Sequence, residues 1–191
     1  MQAVNDFSQL LPLVQATTGL QKLRLHAPSL TSGPLEFFRV AAAALSSLTM
    51  LSLSAIHLGP TESRPGMLDC ISGPQIHPLA SVVDLSLRGC FLGDDGARTL
   101  SVLLDKMRGL ESLCLADNRI SKMGFSALVN DWDKPGRSPA RLVTLDLSYN
   151  TLGIEGVPAS IPAWNLLSIP SSPSSYNLVI LSVNKQCSRI Q

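Results

Sequence analysis

The chain has 191 residues, enough for one domain with a sizeable core. Hydrophobic residues make up 45% and charged residues 15%, which excludes disorder as the global state. A formal net charge of +1 supplies no global field that would draw nucleic acid or an anionic membrane, and an aromatic content of 5% leaves the core to aliphatic side chains.

Taken in order, the chain opens on Met1 with no basic leader, and Asp6 and Pro12 interrupt its first apolar stretch. It reads as neither a signal nor a transit peptide, and no apolar run approaches the ~18 residues that span a bilayer. Residues 5–17 carry Phe7, Leu10, Leu11 and Val14 at helical spacing. Strands are predicted near 22–26, 50–54, 84–88, 112–116, 144–148 and 179–183. A helix should begin at Ser32 and Pro34 and present Leu35, Phe38, Val40, Ala42 and Leu45 on one face. A second should run from Asp94 and Asp95, near its positive end, to Lys106 and Arg108, with Gly109 as its C-cap. A shorter third lies in "SKMGFSALVNDW". Residues 60–78 and 157–175 each hold four prolines. A proline inside a helix costs ~3 kcal/mol, so both read as irregular insertions, with 133–140 as a smaller third. The whole of 1–191 reads as one domain.

Six stretches share one pattern. "LQKLRLHAPSL", "LTMLSLSAIHL", "VVDLSLRGCFL", "LESLCLADNRI" and "LVTLDLSYNTL" carry apolar residues at relative positions one, four, six and eleven; "LVILSVNKQCS" keeps the first three of these. Their starts (20, 48, 82, 110, 142 and 178) are separated by 28, 34, 28, 32 and 36 residues. Self-similarity at such periods marks a stacked array whose units share one core. The pattern resembles the leucine-rich repeat, and the period of 28 with a following glycine (Gly96, Gly124, Gly156) is similar to the ribonuclease-inhibitor subclass. The resemblance implies an α/β solenoid, a horseshoe with a parallel concave sheet and with helices or irregular loops on the convex side.

Within each strand the side chains alternate faces. Leu113 and Leu115 turn to the core, while positions three, five and seven turn outward. The resemblance implies that the residue at position nine, Cys90, Asn118 or Asn150, folds inward and satisfies backbone groups of its neighbours. Pro28 and Ile56 occupy that position in the first two repeats. It also implies that partners dock on the outward set. There the candidate binding residues are Lys22, Arg24 and His26 at a basic start, then Asp84, Arg88, Cys114, Asp117 and Asp146, with Tyr149 at the rim.

No other chemistry is indicated. Cys70, Cys90, Cys114 and Cys187 are too far apart for a C-x-x-C pair and read as reduced thiols of an intracellular, unsecreted protein. His26, His57 and His77 share no metal spacing, and phosphate-loop, dinucleotide and nucleophile-elbow motifs are absent. No cofactor is expected. The expectation is a non-catalytic protein–protein interaction module, an adaptor or a subunit of a multi-subunit assembly in the cytoplasm, cytoskeleton or an organelle. The alternative is regulation of an enzyme such as a Ran-type GTPase, for which Arg88 or Arg119 would be offered to a nucleotide.

Overall fold

The computed structural model describes residues 7–17, 19–28, 44–59, 79–130, 132, 141–152, 164–166 and 180–183. Segments 60–78 and 133–140, most of the Ser32 helix, Cys70 and Cys187 lie outside the described residues.

The leucine pattern builds a sheet. Strands β1 (Lys22–His26), β2 (Met50–Ser54), β3 (Asp84–Ser86), β4 (Ser112–Cys114) and β5 (Thr144–Asp146) lie side by side in chain order, all parallel. Position four of each repeat falls in one row, Leu23, Leu51, Leu85, Leu113 and Leu145, and every member of that row is buried. Beneath it Leu53, Leu87, Leu115 and Leu147 form a second buried row. One unit could not shelter these leucines alone. Stacked, at roughly 25 cal/mol per Å² of apolar area removed from water, they are the main source of stability.

The rungs repeat a single hydrogen-bond device. The position-two carbonyl of each repeat accepts from two successive amides of the next. Gln21 O takes Thr49 N and Met50 N at 2.8 and 3.0 Å, and Val83 O takes Glu111 N and Ser112 N at the same distances. At position eight the chain leaves the strand through the left-handed region: Ala55 (φ 56°), Gly89 (64°), Asp117 (57°) and Tyr149 (57°). The strands expected over 84–88, 112–116 and 144–148 end two residues sooner, at Ser86, Cys114 and Asp146.

Between strands, α2 (Gly93–Leu104) buries Ala97, Leu100, Leu103 and Leu104, and α3 (Lys122–Val129) buries Phe125, Leu128 and Val129. The end of α2 differs from expectation. It stops at Leu104, before Lys106 and Arg108, because a tighter turn (Lys106 N to Leu103 O, 2.9 Å; Met107 N to Leu104 O, 3.1 Å) drops Met107 into the core. The start of α3 is capped by Ser121, whose Oγ accepts from Met123 N at 3.1 Å. Asp94, in the first turn of α2, ties the two helices together. Its carboxylate accepts from Ser121 N at 2.7 Å and Ser121 Oγ at 2.6 Å. Near the N-terminus a 3₁₀ turn (Phe7–Leu10) leads into α1 (Leu11–Ala16), which tucks Val14 into the core. A second 3₁₀ turn, Ala44–Ser47, is the described part of the helix predicted from Ser32.

The last repeat departs from the parallel expectation. Strand β7 (Ile180–Val183) pairs with β5 antiparallel, Leu145 facing Leu181, and β6 (Trp164–Leu166) pairs antiparallel with β7 at the sheet's edge. Residues 157–175 therefore include a short strand where only irregular chain was expected. Within the strand Leu181 and Val183 stand two residues apart, an alternation that reads the same in either direction, so it could not exclude the reversal.

Candidate functional site

Two sets of residues come out of this arrangement, one turned into the stack and one turned out. The inward set stands at position nine. Asn118 is fully buried, and its amide makes four backbone bonds. Oδ1 accepts from Cys90 N (2.9 Å) and Leu92 N (3.4 Å); Nδ2 donates to Leu87 O (2.7 Å) and Ala116 O (3.1 Å). Asn150 repeats the geometry one unit on, accepting from Asn118 N and Ile120 N and donating to Leu115 O, Leu147 O and Ser148 O. Each amide thus satisfies the backbone of the preceding repeat where the strand ends and no ladder partner remains.

Cys90 occupies the same place with half the equipment. Its thiol donates to Leu53 O at 3.3 Å, the equivalent of the Leu87 and Leu115 carbonyls. One step earlier Ile56 offers nothing polar, and the hydroxyl of Ser54 instead takes Leu25 O at 3.4 Å. Burial pushes the Cys90 thiol up from its ordinary 9.0 to about 12. The folded state therefore holds the proton more tightly than the unfolded chain. Stability from this source is complete below pH 9 and drains away as pH climbs toward 12. Expected outcome: the difference in urea stability between wild type and Cys90→Ala shrinks as pH rises past 9. A difference that is flat with pH would refute the assignment.

The outward set forms rows across the sheet. Lys22, Met50, Asp84, Ser112 and Thr144 share one register, and Arg24, Ser52, Ser86, Cys114 and Asp146 the next. Lys22, Arg24 and His26 are exposed at the β1 edge, and their neighbours on β2 already hold two of them: Arg24 Nη2 reaches Met50 Sδ at 3.5 Å, and His26 Nδ1 meets Ser54 Oγ at 2.9 Å. Asp84 is half-buried, and so is Cys114, whose thiol donates to Asp146 Oδ2 at 3.5 Å. Burial first, and then the Asp146 charge, raise the Cys114 pKa, so this thiol is a poor nucleophile. Asp146 also accepts from Ser148 N at 2.9 Å and from the Ser148 hydroxyl. At position seven Arg88 is exposed, but Ala116 and Ser148 are buried, because the chain has begun its left-handed turn.

The alternation of the strands gave no weight to position ten, just past that turn. His57, Phe91 and Arg119 occupy it in three successive repeats. The rings of His57 and Phe91 stack at 5.4 Å, and the Arg119 guanidinium stands over the Phe91 ring at 4.8 Å. Nearby, Arg88 extends two repeats along the array to stand over Tyr149 at 5.7 Å. Exposed pairs of this kind contribute about 0.5–1 kcal/mol each. The signal for this rim was present in the sequence, as one aligned column of large side chains. Asp117, also exposed, shares the rim and donates its backbone N–H to Ser148 O.

Among the described residues no three His, Cys, Asp or Glu side chains group as a metal site, and no helix is long and apolar enough to cross a membrane. Asp95, at the start of α2, pairs with Arg98 on the exposed side of that helix.

Five parallel strands with leucines in register and a polar or thiol residue at each described turn from Cys90 onward define a stacked repeat protein. The comparisons agree. The family described as Leucine Rich repeat matches residues 141–159. The chain is also 34% identical over 113 residues to "NACHT, LRR and PYD domains-containing protein 5" of Bos taurus; the alignment covers 59% of this chain and 10% of the bovine protein. The match at residues 141–159 and the parallel sheet of leucine-bearing strands are compatible with a leucine-rich repeat fold.

Proposed function

We propose that this chain is a non-catalytic protein–protein interaction module of the ribonuclease-inhibitor-like horseshoe type, an adaptor or a subunit of a larger assembly. Its docking surface is the outward face of the parallel sheet. The carrying observation is the register itself, which places small side chains (Ser52, Ser86, Ser112, Thr144) in straight rows between charged ones (Lys22, Arg24, Asp84, Asp146). A flat surface of that kind admits another protein's backbone closely while a few charges set orientation. The free thiols of Cys90 and Cys114 suit a reducing, intracellular compartment. The GTPase alternative draws no specific support from the family match or from the bovine relative.

The test is site-specific photocrosslinking in cells. A crosslinker replacing Ser112 or Thr144 should trap one protein in a stoichiometric complex, and a crosslinker replacing Val102 or Met123 on the helices should not. Adducts from the helix positions alone would move the docking surface to the other side.

A further inference from the structure

The rim at the strand exits carries more than the flat sheet does. It rests on the docking reading above and narrows it. Phe91, Arg119 and Tyr149 all sit in the left-handed backbone region, at φ 53°, 59° and 57°. Residues with a Cβ are disfavoured there and glycine is not. Three of the costliest places on this rim are thus given to a Phe, an Arg and a Tyr, and these, with His57 and Arg88, make the cluster. The rings remain open to solvent, Phe91 at 39% and Tyr149 at 49% exposure.

A guanidinium over a ring has its bending freedom reduced while its N–H groups, which lie in its own plane, stay available at the edges. Such a group is set up to take a carboxylate through two parallel hydrogen bonds. The rim holds two of them. Among the described residues neither Arg88 nor Arg119 pairs with a carboxylate, and the ion pair formed by an arginine is that of Arg98 with Asp95 on the opposite side. Asp117 contributes one negative charge to the rim and leaves the two arginines in excess.

We propose that the rim built from His57, Phe91, Arg119, Arg88 and Tyr149 is a recognition site for an acidic segment of a partner protein, with aspartate or glutamate carboxylates seated on Arg88 and Arg119. The rings hold the guanidinium groups in place and offer apolar area beside them. The basic residues at the other end, Lys22, Arg24 and His26, have no ring beneath them among the described residues, and they do not belong to this site.

Fluorescence anisotropy tests it, using a short labelled peptide that alternates glutamate and glycine and a control with glutamine for glutamate. The acidic peptide should bind and the glutamine peptide should not. The double variant Arg88→Gln/Arg119→Gln should weaken binding about tenfold or more. Arg119→Lys, which keeps the charge and loses the fork, should also weaken it, and Lys22→Gln/Arg24→Gln should leave it unchanged. All these residues except Lys22 and Arg24 lie on the rim, and all four substituted side chains are exposed, so unchanged thermal melts will show that the fold is intact. The proposal is overturned if the acidic peptide fails to bind or binds no better than the glutamine peptide. It is equally overturned if Arg119→Lys retains full affinity, or if the Lys22/Arg24 pair carries the effect. Should the photocrosslinks from the sheet persist while any of these occurs, the docking reading stands and the acidic-segment reading alone falls.

Discussion

Replacing Asn118 with alanine should cost about 4 kcal/mol of stability, read as a fall in the urea midpoint. The figure follows from what is stranded. Two amides, Cys90 N and Leu92 N, and the Leu87 carbonyl lose their side-chain partner at a site with no exposed surface, while Ala116 O keeps the N–H of Gly89 at 2.9 Å. Each buried polar group left without a partner costs ~1–3 kcal/mol, and some of the three will relax onto water admitted to the gap. Cys90→Ala should cost much less, about 1 kcal/mol, because a thiol is a weak donor and gives up a single principal bond to Leu53 O. An Asn118→Ala protein within about 1 kcal/mol of wild type would mean that the amide does not hold the two repeats together.

The second large effect is expected at Gly124. A Cβ there would meet the Asp94 carboxylate and would lie 2.8 Å from Asp94 Cα. The near neighbour includes backbone, which cannot swing aside as a flexible side chain could, so α2 and α3 must separate. Separation would also stretch the bonds from Asp94 to Ser121. Gly124→Ala should therefore destabilise by about 3 kcal/mol, net of the roughly 1 kcal/mol that alanine gains in helix propensity. Gly109 is the control. Nothing lies within 4 Å of a Cβ built on it, so Gly109→Ala should be close to neutral. Thermal unfolding of the two variants side by side decides the matter; equal losses would refute the close-approach argument.

Much of the fold could be read from residues alone, and the reason is physical. A leucine at positions four and six of every unit must be buried, and units of this length can bury it only by stacking. The alternation therefore identified Leu85, Leu113 and Leu145 as one row. What escaped was governed by features outside the leucine alternation. Ala116 and Ser148 fall on outward positions by strict alternation, yet both are buried, because the left-handed residues Asp117 and Tyr149 bend the chain first. The direction of β7 escaped because an alternating strand is a palindrome in its polarity. The rim of His57, Phe91 and Arg119 escaped because those residues meet across repeats separated by 34 and 28 positions, and within any one unit each is an ordinary exposed side chain.

The reversal at β7 has a meaning for how copies of this molecule behave toward each other. A stack of like strands is a growth face, as in a crystal: whatever unit was added last offers the same template to the next, and a second molecule can serve as that next unit. Running one strand backwards poisons the face. The outer side of the reversed strand is taken by β6, which pairs with it antiparallel and occupies the place where an incoming strand would register. At the far side β1 displays Lys22, Arg24 and His26, and like charges facing like charges discourage two such edges from meeting. Among the described strands the parallel register thus ends at β5, and a strand of a second molecule meets this side of the sheet only at β6.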